Sequence, residues 1–193
     1  MRWLERAHDM DQLMNAAFLA DFRETVDTSA ARLRAVPEAE AAVRPAPGKW
    51  SRKEIIGHLI DSATNNHGRF VRRAAAGRSH LRWGTNRLSG WTCSATRRAE
   101  WAELVLLWQS LNHHIAHVME AADTNALTKP RARHNLDRLA WQAVSAAEPT
   151  TLEYFMRDYC RTSEASPAAS PSPVKQPRAT TWEASGDRVR RDE

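Results

Sequence analysis

The sequence predicts an all-α protein: a four-helix bundle with a truncated fourth helix, followed by a disordered C-terminal tail. Three observations predict it. Apolar residues recur three and four apart in four separate segments. Two of those segments open on capping-box patterns, Ser51 with Glu54 and Thr150 with Glu153. The period then stops in RTSEASPAASPSPVKQPRATT, a run with four prolines and no apolar repeat. The expected layout is a bundle domain over 14–162 and a disordered Pro/Ser/Ala-rich tail over 163–193, which Trp182 alone cannot organise.

The first helix runs through Leu13, Ala17, Phe18, Phe22, Val26, Leu33 and Val36 and closes at Pro37. Met10 and Met14 lie inside it, so an alternative translation start is expected to be possible there. Pro45, Pro47 and Gly48 form a stiff approach to the second helix.

That second helix, from Arg52 to about Ala76, organises the chain. Trp50 and Ile55 are spaced as a hydrophobic staple around the Ser51 cap. Ile55, Ile56, Leu59, Ala63, Phe70 and Ala74 form its apolar stripe, flanked by a polar stripe of His58, Ser62, Asn65 and Arg69. In a bundle, such a polar stripe can face a cavity between helices. His67 lies nearer the apolar centre, where a satisfied boundary histidine and a pocket-facing one are both open readings. Asp61 falls on the outer side of the wheel and reads as solvated.

Residues 78–95, with Trp83 and Trp91, form a connection long enough either to roof a pocket or to cross the bundle held down by its tryptophans. The helix from Arg97 to Ala122, with Thr96 as its expected cap, carries a seam of Trp101, Leu104, Trp108, Leu111, Ile115, Val118 and Ala122. His113 and His117 are spaced to reach one metal ion, but the wheel sets both opposite the seam, facing water. His114 lies at the seam's edge. From Thr124 to Pro149 the period breaks, with one helical turn expected around Asp137 to Trp141 and His134 read as a surface residue. Leu152, Phe155, Met156 and Tyr159 then begin the last helix.

The chain has 28 Lys and Arg against 23 Asp and Glu, a net +5 that reads as spread along its length. Diffuse charge without a basic stripe argues against nucleic acid. No run of about 18 apolar residues exists, so no membrane span is expected. Cys93 and Cys160 fit reduced thiols in a cytoplasmic protein. Eight tryptophans, set within patterned segments, read as packing anchors.

Taken together, PAPGKWSRKEIIGHLIDSATNNHGRF, EWAELVLLWQSLNHHIAHV and TLEYFMRDY resemble the DinB/YfiT-like superfamily over about residues 20–160. The resemblance implies a four-helix bundle holding one divalent metal, Zn or Ni, through three histidines, with hydrolase or thiol-transferase chemistry. The implied metal ligand here is His58. The other two would fall at Thr162 and Ser166, which are not histidines, so the implied metal site is incomplete. No catalytic residue can be named, and whether the chain is an enzyme stays open.

The abrupt loss of pattern after Tyr159 suggests a shifted reading frame near codon 160 or a wrongly assigned gene end, which the other frames of the DNA would decide. The expected function is that of a DinB-like protein derived from a divalent-metal-dependent thiol transferase or hydrolase. The alternative is a non-catalytic helical module that binds a ligand or a protein. A small-molecule thiol or electrophile, and a homodimer through an uncovered helix seam, are the expected partners.

Overall fold

A computed structural model describes residues 2–75 and 96–164, with side chains described over 16–72 and 96–161. The connection over 78–95, Cys93, the tail from 165 onward and the ring positions of Trp83 and Trp91 lie outside the described residues. Among the described residues, four long helices carry the fold: α1 (Arg2–Arg34), α3 (Arg52–Ala75), α4 (Trp101–Glu120) and α7 (Leu152–Glu164). Three short ones, α2 (Glu38–Ala42), α5 (Thr124–Thr128) and α6 (Leu136–Leu139), sit in the links. The all-α four-helix bundle is therefore present, and α2 and α5 are additions that the sequence reading did not include.

Helix α4 is the central element, packing against both α1 and α3, while α7 closes the bundle against the same two. The predicted seam is right but half the story. Trp101, Leu104, Trp108 and Ile115 are buried, yet so are Val105, Asn112, Ala116 and Met119 on a second face. A helix with neighbours on two sides needs both faces apolar, and a wheel centred on one seam misses the other. In α1 the buried stripe is Leu19, Phe22, Val26, Ala30 and Leu33, whereas Ala17 is exposed.

Cross-helix pairs fix the directions. Arg23 meets Glu120, Asp27 meets His113 and Arg34 meets Gln109, so α1 and α4 run antiparallel. Lys53 meets Ala99 and His67 meets His114, so α3 and α4 run parallel. Thr96 lies beside Gly57 near the start of α3, although Ala75 ends that helix about 27 Å away along its axis. Parallel neighbours in a bundle require such a long crossover, and the chain between residues 75 and 96 supplies the length.

The start of α3 ties three elements together. The capping box forms: Ser51 N–H donates to Glu54 Oε2 at 2.8 Å, and Glu54 N–H donates to Ser51 Oγ at 3.2 Å. Glu54 is only 2% exposed and also accepts from Arg44 and Arg97, each through two nitrogens. Burial works to raise its carboxyl, but the bonds from Arg44, the Ser51 N–H and Arg97 outweigh burial and lower it to about 2. Buried Lys53 donates to the Ala99 carbonyl at 2.7 Å and pairs with Glu38, whose Oε2 accepts the Trp101 N–H at 2.7 Å. Glu38 on α2 thus caps α4 from outside, since the preceding Glu100 makes no side-chain cap bond. Thr96, the expected cap, is instead buried against Gly57, and α4 begins five residues later.

The last helix also starts one residue later than its pattern suggests. Thr151 Oγ1 accepts the Tyr154 N–H at 3.1 Å, while Thr150 forms an isolated antiparallel bridge with Arg131. Glu153 does not reach back in a box but pairs with Arg157 at 2.8 Å. Tyr159 packs edge-on to Phe22 and Phe70, and its hydroxyl donates to Asn112 Oδ1 at 2.7 Å. Buried Asp158 accepts the backbone N–H groups of Trp141 and Gln142, both at 2.8 Å. The Asp-Tyr pair quoted for the family resemblance is thus structural: one carboxylate pins the preceding link and one phenol locks the core. His134, expected to be a free surface residue, is a clamp in that link. Its Nδ1 accepts the Leu136 N–H at 3.2 Å, so Nε2 carries the proton given to the Glu148 carbonyl at 2.6 Å. Cys160 is buried, with Sγ 4.0 Å from Met119 Sδ.

Candidate functional site

The polar stripe of α3 is half-buried along its whole length: His58, Ser62, Asn65 and Arg69 all lie between the core side and solvent. The helix places them at successive turns, over about 16 Å. At the near end, the His58 ring meets Trp50 edge-on, with centroids 5.4 Å apart and planes at 62°. Trp50, read as a staple for Ile55, therefore also flanks the imidazole. Burial holds His58 below the usual imidazole value, with the Asp61 charge pulling the other way. Asp61 is not the solvated outer residue the wheel suggests, because it is half-buried and its Oδ2 is sealed from water.

At the far end, Arg69 Nη1 donates to Asn66 Oδ1 at 2.9 Å, and Asn66 Nδ2 lies 3.4 Å from Ser62 Oγ. Burial depresses the Arg69 pKa, and no carboxylate among the described residues pairs with it. Asn66, itself buried, was missed by the wheel because it sits one step off the stripe. A local count gives the signal that the averaged charge hides: residues 62–99 carry eight arginines and no Asp or Glu.

The other histidines separate into two groups. His113 does not face water alone. Its Nε2 lies 2.7 Å from Asp27 Oδ1, which also accepts from Gln109 at 2.6 Å. The hydrogen bond to His113, then that to Gln109, hold the Asp27 carboxyl below its ordinary value. His117 is exposed beside Glu120, so the two do not converge as a metal pair. His67 and His114 come together across α3 and α4, with ring centroids 4.9 Å apart.

The three-imidazole centre implied by the resemblance does not fit this donor set. Position 162 is a threonine on α7, and position 166 is a serine outside the described residues. Neutral hydroxyls are poor substitutes for imidazole toward Zn or Ni. Among the described residues, no group of three or more His, Cys, Asp or Glu comes together to hold a metal ion. His58 therefore stands without the two partner histidines that the family pattern supplies. No described helix is long and apolar enough to cross a membrane.

The comparisons agree with the architecture. YfiT from Bacillus subtilis, described as "a probable metal-dependent hydrolase with an unusual four-helix bundle topology", superposes with a TM-score of 0.61 at 14% identity. The match covers 81% of this chain and 84% of that one, and at this identity it speaks for the fold. No curated protein matches the chain. The model of the DinB superfamily matches residues 21–148, from the middle of α1 through the link before α7. With about two-thirds of its length under that match and the bundle topology in place, the chain belongs to the DinB superfamily.

Proposed function

We propose that this protein is a small-molecule-binding member of the superfamily, derived from a divalent-metal-dependent thiol transferase or hydrolase, whose α3 stripe receives an anionic ligand. One observation carries the reading: the half-buried Arg69 guanidinium is aimed by Asn66 and has no carboxylate among the described residues. A guanidinium stays protonated even where burial disfavours its charge, so a partly desolvated one without a counter-ion favours a carboxylate or phosphate. Asn66, held by Ser62, restrains the fork and lowers the entropy lost on binding. His58 and Trp50 offer an imidazole and an indole edge at the other end of the stripe, suited to the less polar part of the ligand. A low-molecular-weight thiol or electrophile bearing a carboxylate meets these requirements.

Calorimetric titration of the full chain with acetate, inorganic phosphate and cysteine tests it. Binding of at least one anion, weakened about 10- to 100-fold by Arg69→Gln, is expected for a charge-assisted contact. The exposed Arg98→Gln serves as a control and should leave binding unchanged. Equal losses in both variants, or no anion binding at all, would overturn the reading.

A further inference from the structure

His67 on α3 and His114 on α4 belong to no part of the stripe, yet they are the one imidazole pair that the described residues bring ring to ring. Their centroids are 4.9 Å apart and their planes are tilted by 40°. That distance can be compared with coordination geometry. A metal about 2.05 Å from a ring nitrogen lies roughly 3.2 Å from the ring centroid, so two imidazoles on one ion have centroids about 5.2 Å apart at a tetrahedral angle and about 4.5 Å apart at a right angle. The observed spacing falls between the two. The rings project toward each other from parallel helices that pack against one another.

The charge state also suits a ligand role. Burial, then the neighbouring His114, hold His67 below the usual imidazole value, leaving a lone pair free. His114 is exposed and His67 half-buried, which leaves the outer side of an ion open to water.

We propose that His67 and His114 form a two-histidine site for an exchangeable transition-metal dication, bridging α3 and α4, with water completing the coordination. Two neutral imidazoles select borderline ions over Mg2+ or Ca2+, and Cu2+ should bind more tightly than Ni2+ or Zn2+. This site is separate from His58 and does not depend on the anion reading.

The test is calorimetric titration of metal-stripped full chain with Zn2+, Ni2+ and Cu2+, together with the thermal midpoint at saturating metal. One ion per chain is expected, with a raised midpoint. His67→Gln and His114→Gln should each weaken binding at least tenfold, while His58→Ala and His117→Gln leave it unchanged. Circular dichroism of the metal-free variants confirms the fold, and the Cu2+ visible band gives an independent readout of nitrogen ligation lost in the same two variants. Retention of both affinity and band in His67→Gln would overturn the proposal, as would equal loss in His58→Ala.

Discussion

Thr96 Oγ1 lies 2.6 Å from where a Cβ on Gly57 would stand, with Thr96 Cγ2 and Cβ at 2.8 and 3.0 Å. The glycine of the Gly-His-Leu segment is thus a packing requirement that lets the returning chain touch α3, whatever its neighbour His58 does. Gly68 on the same helix has only the tip of Arg72 at 4.0 Å from its virtual Cβ.

The two glycines should respond in opposite directions to one substitution. Gly68→Ala gains helix propensity and should stabilise by about 0.5–1 kcal/mol. Gly57→Ala gains the same propensity but overpacks a β-branched side chain held between two elements, which costs about 1–3 kcal/mol and should dominate. Thermal or urea unfolding reads the sign directly. A stabilised Gly57→Ala would show that Thr96 is not seated there.

The clamp on Glu54 predicts how stability depends on acid. Its folded carboxyl is lowered from 4.5 to about 2, so the unfolded chain binds the proton more readily. The clamp's contribution is therefore fully present above about pH 4.5 and is lost as pH falls toward 2, amounting to about 3 kcal/mol. Glu54→Gln should be less stable than the native chain by a few kcal/mol at pH 7, with the difference shrinking at pH 3. Urea midpoints at pH 7 and pH 3 measure it. A pH-independent difference would mean that the Arg44, Ser51 N–H and Arg97 bonds do not hold the Glu54 carboxyl below its ordinary value.

How much of this was legible in the sequence follows from the range of each interaction. Ser51 with Glu54 is a three-residue relationship, and it was readable and present. The stripe of His58, Ser62, Asn65 and Arg69 follows from helical period alone, and all four are half-buried as a boundary stripe should be. What failed depended on distant partners. Thr96 was assigned to cap α4 by proximity, but Glu38, 63 residues upstream of Trp101, does so. Asp27 gives His113 a partner from across the α1–α4 interface, where the wheel saw only solvent. A helical wheel knows one helix, so it finds the α3 stripe but not the contacts made between helices.

The metal expectation attached to His58 can be separated from the pair on α3 and α4. If no native centre is built on His58, protein purified without added metal should contain substoichiometric Zn and Ni, equal in the native chain and in His58→Ala. Elemental analysis decides it. One equivalent in the native chain that disappears in His58→Ala would restore a His58-based centre, supplied by donors outside the described residues.

The Tyr159 to Asn112 bond predicts a coupled loss in the core. Asn112 is fully buried; its Nδ2 donates to the Trp108 carbonyl at 2.8 Å, and its Oδ1 accepts from Tyr159 at 2.7 Å. Tyr159→Phe keeps the edge-on ring contacts with Phe22 and Phe70 but leaves a buried amide oxygen without that donor. The cost should be about 1–3 kcal/mol. Asn112→Leu strands the phenol in turn. Because each variant breaks the same bond, the double variant should lose less than the sum of the two, by about 0.5–3 kcal/mol. Strict additivity in a double-mutant cycle would show that the bond contributes nothing and that the family-pattern tyrosine acts through its ring alone. The same cycle repeated with the α3–α4 metal pair saturated should give the same coupling, since His67 and His114 share no bond with Tyr159 or Asn112.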